Sequence, residues 1–142
     1  MFFPKESKLD KGIQQEILAH LRKAEHRLKV AGLLQKEKEY EDAVSRAYYS
    51  VYHAAQAALL TEGLRAETHR GLATLFGLHL VQTGKLPKKL AKYLRNLRDD
   101  REEGDYEVCL SVDVETSQTA IREAEEFVKE IQNFLIPFLE GK

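Results

Sequence analysis

The chain has 142 residues and a formal net charge of -1, with 43% hydrophobic and 32% charged residues. This length and balance are typical of one globular domain with a single core. The near-zero charge excludes a protein that attracts nucleic acid through its overall field. No run approaches the roughly 18 apolar residues that a membrane span requires. We therefore expect one soluble domain over residues 1–142 that does not associate with a membrane.

The first ten residues contain Phe2 and Phe3 but no apolar stretch long enough for a signal peptide. We expect residues 1–10 to form a flexible arm and the protein to be cytoplasmic. Cys109 is the only cysteine, so an intrachain disulfide is excluded and a thiolate metal cluster would have to be shared between chains. We expect neither a metal nor a cofactor.

Two helices are predicted in the first half from apolar residues that recur at steps of three and four. The first runs from Ile13 to about Gln35, and the charged residues 36–41 form a connection. The second runs from Asp42 to Leu60 and is rich in alanine, which allows close helix packing. The apolar rows are Ile13, Ile17, Leu21, Ala24, Leu28 and Ala31 in the first helix, and Ala43, Val44, Ala47, Val51, Ala54, Ala55 and Ala58 in the second.

A third and a fourth helix follow. Gly63 ends the second helix, and Thr68 is expected to cap a third that stops near Thr83. Pro87 suits the first turn of a fourth helix, which Gly104 is expected to end as a C-cap. The inward rows are Leu72, Phe76 and His79 in the third helix and Leu90, Leu94 and Leu97 in the fourth.

The last helix is predicted from about Asp113 to Leu139, after a loop over residues 105–112, and Pro137 is expected to bend its final turn. Its inward row is Ala120, Ala124, Phe127, Ile131, Phe134 and Phe138. Short connections favour antiparallel neighbours. The predicted fold class is all-α, an up-down bundle of four to five helices.

The second helix carries a polar stripe nearly opposite its apolar side. The helix-2 stripe consists of Asp42, Arg46, Tyr49, His53 and Gln56. A solvated helix face is usually filled with Lys and Glu, yet neither occurs between Ala43 and Thr61. Interfaces and pockets enrich Tyr and Arg and deplete Lys and Glu, so the composition predicts a covered face.

Arg46 and His53 are seven residues apart, which sets a cation and a titratable imidazole on one line about 10 Å apart. Tyr49 lies between them. Arg46 could hold a phosphate while His53 handles a proton, and such chemistry needs no metal. The alternative is a salt bridge between Arg46 and Asp42, with a satisfied histidine at a dimer seam.

A second polar cluster is predicted at the end of the fourth helix. Arg101 continues the inward row, so its charge needs a partner. Asp105, followed by Tyr106, is the nearest candidate and could lock the helix end. The functional alternative is that all three complete a pocket with the helix-2 stripe. His69 lies at the start of the third helix, where free backbone N–H groups favour an anion, and is a further candidate for phosphate binding.

The motifs together resemble a known family, the HEPN superfamily (higher eukaryotes and prokaryotes nucleotide-binding), in its small stand-alone prokaryotic branch. The resemblance is carried by the second helix, with the order Arg-x-Tyr-Tyr-x-x-aromatic-His from Arg46 to His53. It continues through Glu67-Thr-His69-Arg-Gly, through Arg101-Glu-Glu-Gly-Asp105-Tyr106 and through Ala124-Glu-Glu-Phe127-Val.

This resemblance implies a helical bundle that forms a homodimer, often encoded beside a minimal nucleotidyltransferase as a toxin–antitoxin pair. Many relatives are metal-independent RNases with an Arg-x4-6-His motif late in the chain. Here Arg101 is followed by Asp105 and Tyr106, and no histidine occurs after His79. Arg46 and His53 match the spacing, but on an earlier helix.

Three functional hypotheses follow. The first is a HEPN protein that binds nucleotide or RNA phosphate and pairs with a minimal nucleotidyltransferase. The second is a metal-independent endoribonuclease toxin that uses Arg46 and His53 as catalytic residues. The third is a non-catalytic homodimeric scaffold with the helix-2 stripe as its seam. The phosphate-binding candidates are Tyr49, His69, Arg101, Asp105 and Tyr106.

Overall fold

The computed structural model describes residues 9–106 and 112–139, with the backbone alone for residues 103–106. Within these residues the chain forms five α-helices and no strand, which confirms the predicted all-α bundle. The helices are α1 (Lys11–Lys36), α2 (Tyr40–Leu60), α3 (His69–Phe76), α4 (Lys88–Tyr106) and α5 (Val114–Leu139). The predicted arm over residues 1–10 lies outside the described residues, apart from its last two.

Helix α1 begins directly after Asp10, whose carboxylate accepts a hydrogen bond of 2.8 Å from the Ile13 N–H. This bond satisfies one of the free N–H groups of the first turn. The predicted apolar row faces the core, with Ile17 and Ala24 fully buried. The connection to α2 is shorter than predicted, because α1 continues to Lys36 and α2 already begins at Tyr40; Lys38 between them has a φ of 66°.

Helix α2 is the centre of the bundle, since it contacts α1, α3, α4 and α5. Every residue from Ala54 to Leu60 is buried, including Gln56. The alanines permit this crowding because they let neighbouring backbones approach closely. The lack of Lys and Glu in this part of α2 therefore has a structural cause, which is burial by the chain's own helices.

The connection to α3 follows the predicted signals. Gly63 adopts a φ of 72°, which side chains rarely allow. The Thr68 hydroxyl accepts a hydrogen bond of 2.8 Å from the Gly71 N–H and caps α3. These two observations confirm that the second helix does not continue past Gly63 and that Thr68 caps the third helix.

The predicted third helix is α-helical only in its first part, from His69 to Phe76. After Phe76 the chain continues as a π-helical segment over Gly77–Val81, in which the Gln82 N–H bonds to the Gly77 carbonyl at 2.8 Å. Leu80 is buried and continues the row of Leu72 and Phe76 at a step of four residues, whereas His79 is only half-buried. The prediction that His79 belongs to the inward row is therefore wrong.

Helix α4 begins after Pro87, as predicted, and buries Leu90 and Leu97. Its predicted end at Gly104 is wrong, because the helix continues to Tyr106. A glycine within a helix costs about 1 kcal/mol relative to alanine and does not by itself end the helix.

Helix α5 is antiparallel to α1. Gln35 near the end of α1 donates a hydrogen bond to Ser117 near the start of α5, and Gln132 donates to Glu25. Asp113 caps α5 by accepting from the Thr116 N–H at 2.8 Å. In the part of the chain described, no helix is long and apolar enough to cross a membrane.

Candidate functional site

Aromatic and cationic side chains from three helices meet on one side of α2. We call this group the tyrosine cluster: Tyr48, Tyr49, Tyr52, His69 and Arg101. Its ring centroids are separated by 5.2 Å for Tyr48 and Tyr49, 5.9 Å for Tyr49 and Tyr52, 5.2 Å for Tyr52 and His69, and 5.4 Å for Tyr48 and His69. These separations are typical of aromatic rings in direct contact.

The local helix geometry explains the cluster. Tyr48 and Tyr52 are four residues apart and therefore occupy neighbouring positions on one face of α2. Because Thr68 caps α3, His69 is the first residue of that helix, and its imidazole lies beside α2. Arg101 reaches the same point from α4. The cluster thus depends on the packing of α2, α3 and α4.

A hydrogen bond joins the buried Tyr48 to His69, with 2.6 Å between the phenolic oxygen and Nδ1 of the imidazole. Burial raises the pKa of Tyr48 well above its ordinary value, so the phenol keeps its proton. Burial, assisted by the charges of Arg101 and Arg98, lowers the pKa of His69. With a protonated phenol and a neutral imidazole, this contact favours the tautomer in which Nδ1 accepts the phenolic hydrogen and Nε2 carries the ring proton.

The guanidinium carbon of Arg101 lies 5.3 Å from the ring centre of Tyr48 and 5.5 Å from that of Tyr49. Both distances are within the range of a cation–π interaction. Arg101 is half-buried, as sequence reasoning expected for a charge that continues the inward row. The rings stabilise the cation at a fixed position beside His69.

A second contact lies at the other end of the cluster, where the Tyr52 ring meets His53 with 5.1 Å between centroids. Nδ1 of His53 lies 3.0 Å from Nδ1 of His20 on α1. Burial lowers the pKa of His53 to about 4, and the neighbouring His20, Lys23 and Arg27 act in the same direction. Burial also lowers the pKa of His20. Two neutral imidazoles thus share one hydrogen bond.

The structure brings some predicted site residues together and separates others. Tyr49, His69 and Arg101 meet in the tyrosine cluster, whereas Arg46 is exposed and the cation–ring contacts of the described cluster come from Arg101. His53 lies at the α1 side of α2, against His20. The side chains of Asp105 and Tyr106 lie outside the described part of the structure.

The cover predicted for the helix-2 stripe comes from the chain itself at three of its positions, of which Tyr49 contacts His69 and Arg101. Gln56 forms two hydrogen bonds with the backbone of Ala66, at 2.9 Å and 3.1 Å, and holds the connection between α2 and α3. His53 is covered by α1. Asp42 and Arg46 are exposed. In the single chain, the stripe is therefore not one covered face.

Sequence reasoning missed Tyr48, Tyr52 and His20 as members of this region. Tyr48 and Tyr52 were visible in the resemblance motif but lie off the line of the helix-2 stripe. His20 had no sequence signal, because its partner is on another helix. Among the described residues, no group of three His, Cys, Asp or Glu side chains is arranged to hold a metal ion.

The described residues thus form an all-α bundle in which an arginine lies against tyrosine rings beside a histidine. The HEPN domain family matches residues 17–134. The chain therefore belongs to the HEPN domain family, and the resemblance seen in the sequence is confirmed.

Three relatives illustrate the family. A Methanocaldococcus jannaschii protein named "Putative toxin MJ0605" is 36% identical over 127 residues, which cover 89% of this chain and 94% of the relative. A second protein of that organism, "Putative toxin MJ0142", is 26% identical over 123 residues, 87% and 84% of the two chains. An Archaeoglobus fulgidus "UPF0332 protein" is 35% identical over 121 residues, 83% and 94% of the two chains.

Proposed function

We propose that the chain is a phosphate-binding HEPN protein whose tyrosine cluster holds a nucleotide or an RNA phosphate. The observation that carries this proposal is the position of the Arg101 guanidinium against the rings of Tyr48 and Tyr49, beside His69. A cation that aromatic rings hold in place loses little conformational entropy when it binds an anion.

The groups of the cluster suit a phosphate chemically. The guanidinium has five N–H donors in a planar fork, which matches paired phosphate oxygens. Nε2 of His69 adds a neutral donor, because Tyr48 occupies Nδ1. The half-buried rings of Tyr49 and Tyr52 offer stacking surfaces for a base. Asp105 and Tyr106 are proposed to complete this pocket from the end of α4.

We also propose that the chain acts as a homodimer paired with a minimal nucleotidyltransferase in a toxin–antitoxin-like module. The names of two relatives, "Putative toxin MJ0605" and "Putative toxin MJ0142", support the toxin–antitoxin-like part of this proposal. Co-expression with a minimal nucleotidyltransferase encoded by the neighbouring gene should yield a co-purifying complex. Light scattering of the isolated chain should give twice the mass of one chain. A monomer that captures no such partner would contradict both statements.

Calorimetric titration with AMP, and with an RNA oligonucleotide of six residues, tests the phosphate site. Arg101→Gln should weaken binding of both ligands at least tenfold, because it removes the cation and leaves a polar side chain. Arg122→Gln, at an exposed position of α5, is the matched control and should bind as the wild type does. Equal affinities for the two variants would refute the proposed site.

The metal-independent endoribonuclease is the second candidate function, and the His20–His53 pair favours it. Acid–base cleavage of a phosphodiester needs one group that takes the proton of the attacking 2′-hydroxyl and one that gives a proton to the leaving oxygen, and the two imidazoles supply two such groups side by side. Arg46 would hold the phosphate in this reading. Expression of the wild type and of His53→Ala in a host, with RNA integrity as the readout, tests it. Intact RNA in both cultures would eliminate this candidate.

A further inference from the structure

The residues Arg46 and His53 lie outside the tyrosine cluster, yet the structure gives them new neighbours on α1. Helices α1 and α2 are antiparallel, and His20 faces His53 with 3.0 Å between the two Nδ1 atoms. Arg27 lies seven residues after His20 on α1, and Arg46 lies seven residues before His53 on α2. Each step covers two helical turns, about 10 Å, in the same direction along the antiparallel pair. Arg27 and Arg46 therefore occupy the same level of the α1–α2 seam.

Lys23 lies between these levels on α1, one turn from His20. The charges of Lys23 and Arg27 both lower the pKa of His53, so both cations lie within electrostatic reach of its imidazole. Lys23 and Arg46 are exposed and Arg27 is half-buried. Glu16, whose charge reaches His20, is already held by two hydrogen bonds from Arg65, at 2.7 Å and 2.8 Å.

The imidazole pair adds a donor to these cations. Because both rings are neutral, one Nδ1 donates to the other across the 3.0 Å contact. The accepting ring then carries its proton on Nε2, which can donate to a phosphate oxygen. The seam thus combines three cations with one neutral donor, and cations and neutral donors are the groups that contact phosphates in protein–DNA complexes.

Tyr52 connects the seam to the tyrosine cluster, since its ring contacts His53 at 5.1 Å and His69 at 5.2 Å. Two cationic groups are therefore joined by half-buried aromatic rings. We infer that the α1–α2 seam, with Lys23, Arg27 and Arg46, is a second phosphate subsite that binds the same phosphodiester strand as the tyrosine cluster. This inference rests on the proposed phosphate site and extends it from a single nucleotide to a strand.

A strand fits this arrangement better than a compact polyphosphate does. Tyrosine rings between two phosphate contacts can stack bases, and base–aromatic stacking contributes to the binding of single strands irrespective of sequence. A polyphosphate has no base to place on Tyr49 or Tyr52. Affinity should consequently increase with the number of nucleotides until both subsites are occupied.

The test compares AMP, single-stranded RNA of two, four and six nucleotides, and inorganic tripolyphosphate by calorimetric titration. Arg27→Gln and Lys23→Gln should each weaken binding of the six-nucleotide RNA about fivefold and leave AMP binding unchanged. Each should also reduce the slope of log affinity against log salt by about 0.7, as expected for the loss of one phosphate contact on a single strand. Lys29→Gln, on an exposed position of the same helix, is the matched control.

Each outcome has a defined meaning. Equal RNA affinity for Arg27→Gln, Lys23→Gln and Lys29→Gln would overturn the seam subsite while leaving the cluster intact. A loss of RNA binding in the seam variants, with no effect of Arg101→Gln on AMP, would support the subsite and remove the proposed cluster site. If tripolyphosphate bound as tightly as the six-nucleotide RNA, the proposal that the ligand is a nucleic-acid strand would be overturned. A chain that binds none of these ligands would overturn both proposals.

Discussion

The phenolic oxygen of Tyr48 lies 2.6 Å from Nδ1 of His69, a contact that favours the imidazole tautomer with its proton on Nε2. Tyr48→Phe keeps the buried ring but removes the donor, which should cost about 1 kcal/mol of the free energy of unfolding. The His69 proton should then distribute between both ring nitrogens. Nitrogen NMR of the labelled imidazole and urea denaturation measure the two effects.

Tyr93→Phe is the control for this change, because it removes a phenolic hydrogen bond to Glu126 at another face of the bundle. It should leave the His69 spectrum unaltered. If Tyr48→Phe gives the same single tautomer as the wild type, then Tyr48 does not position His69, and the donor at Nε2 needs another explanation.

The pH dependence of stability should follow the buried imidazoles. Burial lowers the pKa of His53 to about 4, whereas the unfolded chain has the ordinary value of about 6.5. The unfolded state therefore binds more protons between these values, and stability is lost as the pH falls through this window. The full shift corresponds to about 3 kcal/mol, and we expect about 1 kcal/mol because solvent screens a half-exposed side chain.

Urea denaturation at pH 7.5, 6, 5 and 4 measures this loss. His53→Gln keeps a polar partner for His20 but cannot titrate, so its stability should fall less steeply below pH 6.5. His26→Gln, at an exposed position of α1, should retain the wild-type profile. Identical slopes for the wild type and His53→Gln would show that His53 contributes nothing to the acid sensitivity.

The Gln56 side chain should be important for stability although it binds no ligand in our proposals. It is 5% exposed and pairs with both backbone groups of Ala66. Gln56→Ala leaves a buried N–H and a buried carbonyl without partners, which should cost about 2–3 kcal/mol. Gln132→Ala removes an exposed hydrogen bond to Glu25 and should change the free energy of unfolding by less than about 0.5 kcal/mol. Thermal denaturation distinguishes the two, and comparable losses would contradict the structural role of Gln56.

The cap of α3 offers a further test, since Thr68 places His69 at the first position of the helix. Thr68→Ala removes the hydrogen bond to Gly71 and should destabilise the protein by about 1 kcal/mol. Thr74→Ala, at an exposed position within α3, should be neutral or slightly stabilising because alanine has the higher helix propensity. Denaturant titration of both variants checks the difference; a neutral Thr68→Ala would mean that packing alone fixes the start of α3.

The helices could be predicted because their signals are local. Apolar spacing predicted α1, α2 and α5, and single residues such as Gly63 and Thr68 marked ends that the structure has. The predicted end of the fourth helix at Gly104 is wrong because a glycine lowers helix propensity without forcing the helix to end. The π-helical segment could not be predicted, because the residues Gly77–Val81 do not differ in kind from those of an ordinary helix.

The site could be predicted only in part, because its contacts join different helices. Of the two alternatives for Arg101, one brought it to the helix-2 stripe, and its guanidinium does lie against Tyr49. The stripe itself, however, is divided. Arg46 is exposed, whereas His53 pairs with a histidine 33 positions earlier in the chain. The spacing of residues along one helix predicts which side chains lie on the same line of that helix. Which of these side chains contact a partner depends on how the neighbouring helices pack against it.

The π-helical segment Gly77–Val81 also affects how the chain can change in length. A turn bonded from residue i to residue i+5 contains one residue more than an α-helical turn. Deleting a single residue here can convert the segment into ordinary α-helix, so the change is absorbed between α3 and α4. The same deletion in the middle of α2 would rotate every following buried residue by about 100°. Besides its loops, the chain thus has a place at the end of a helix where evolution can insert or remove a residue.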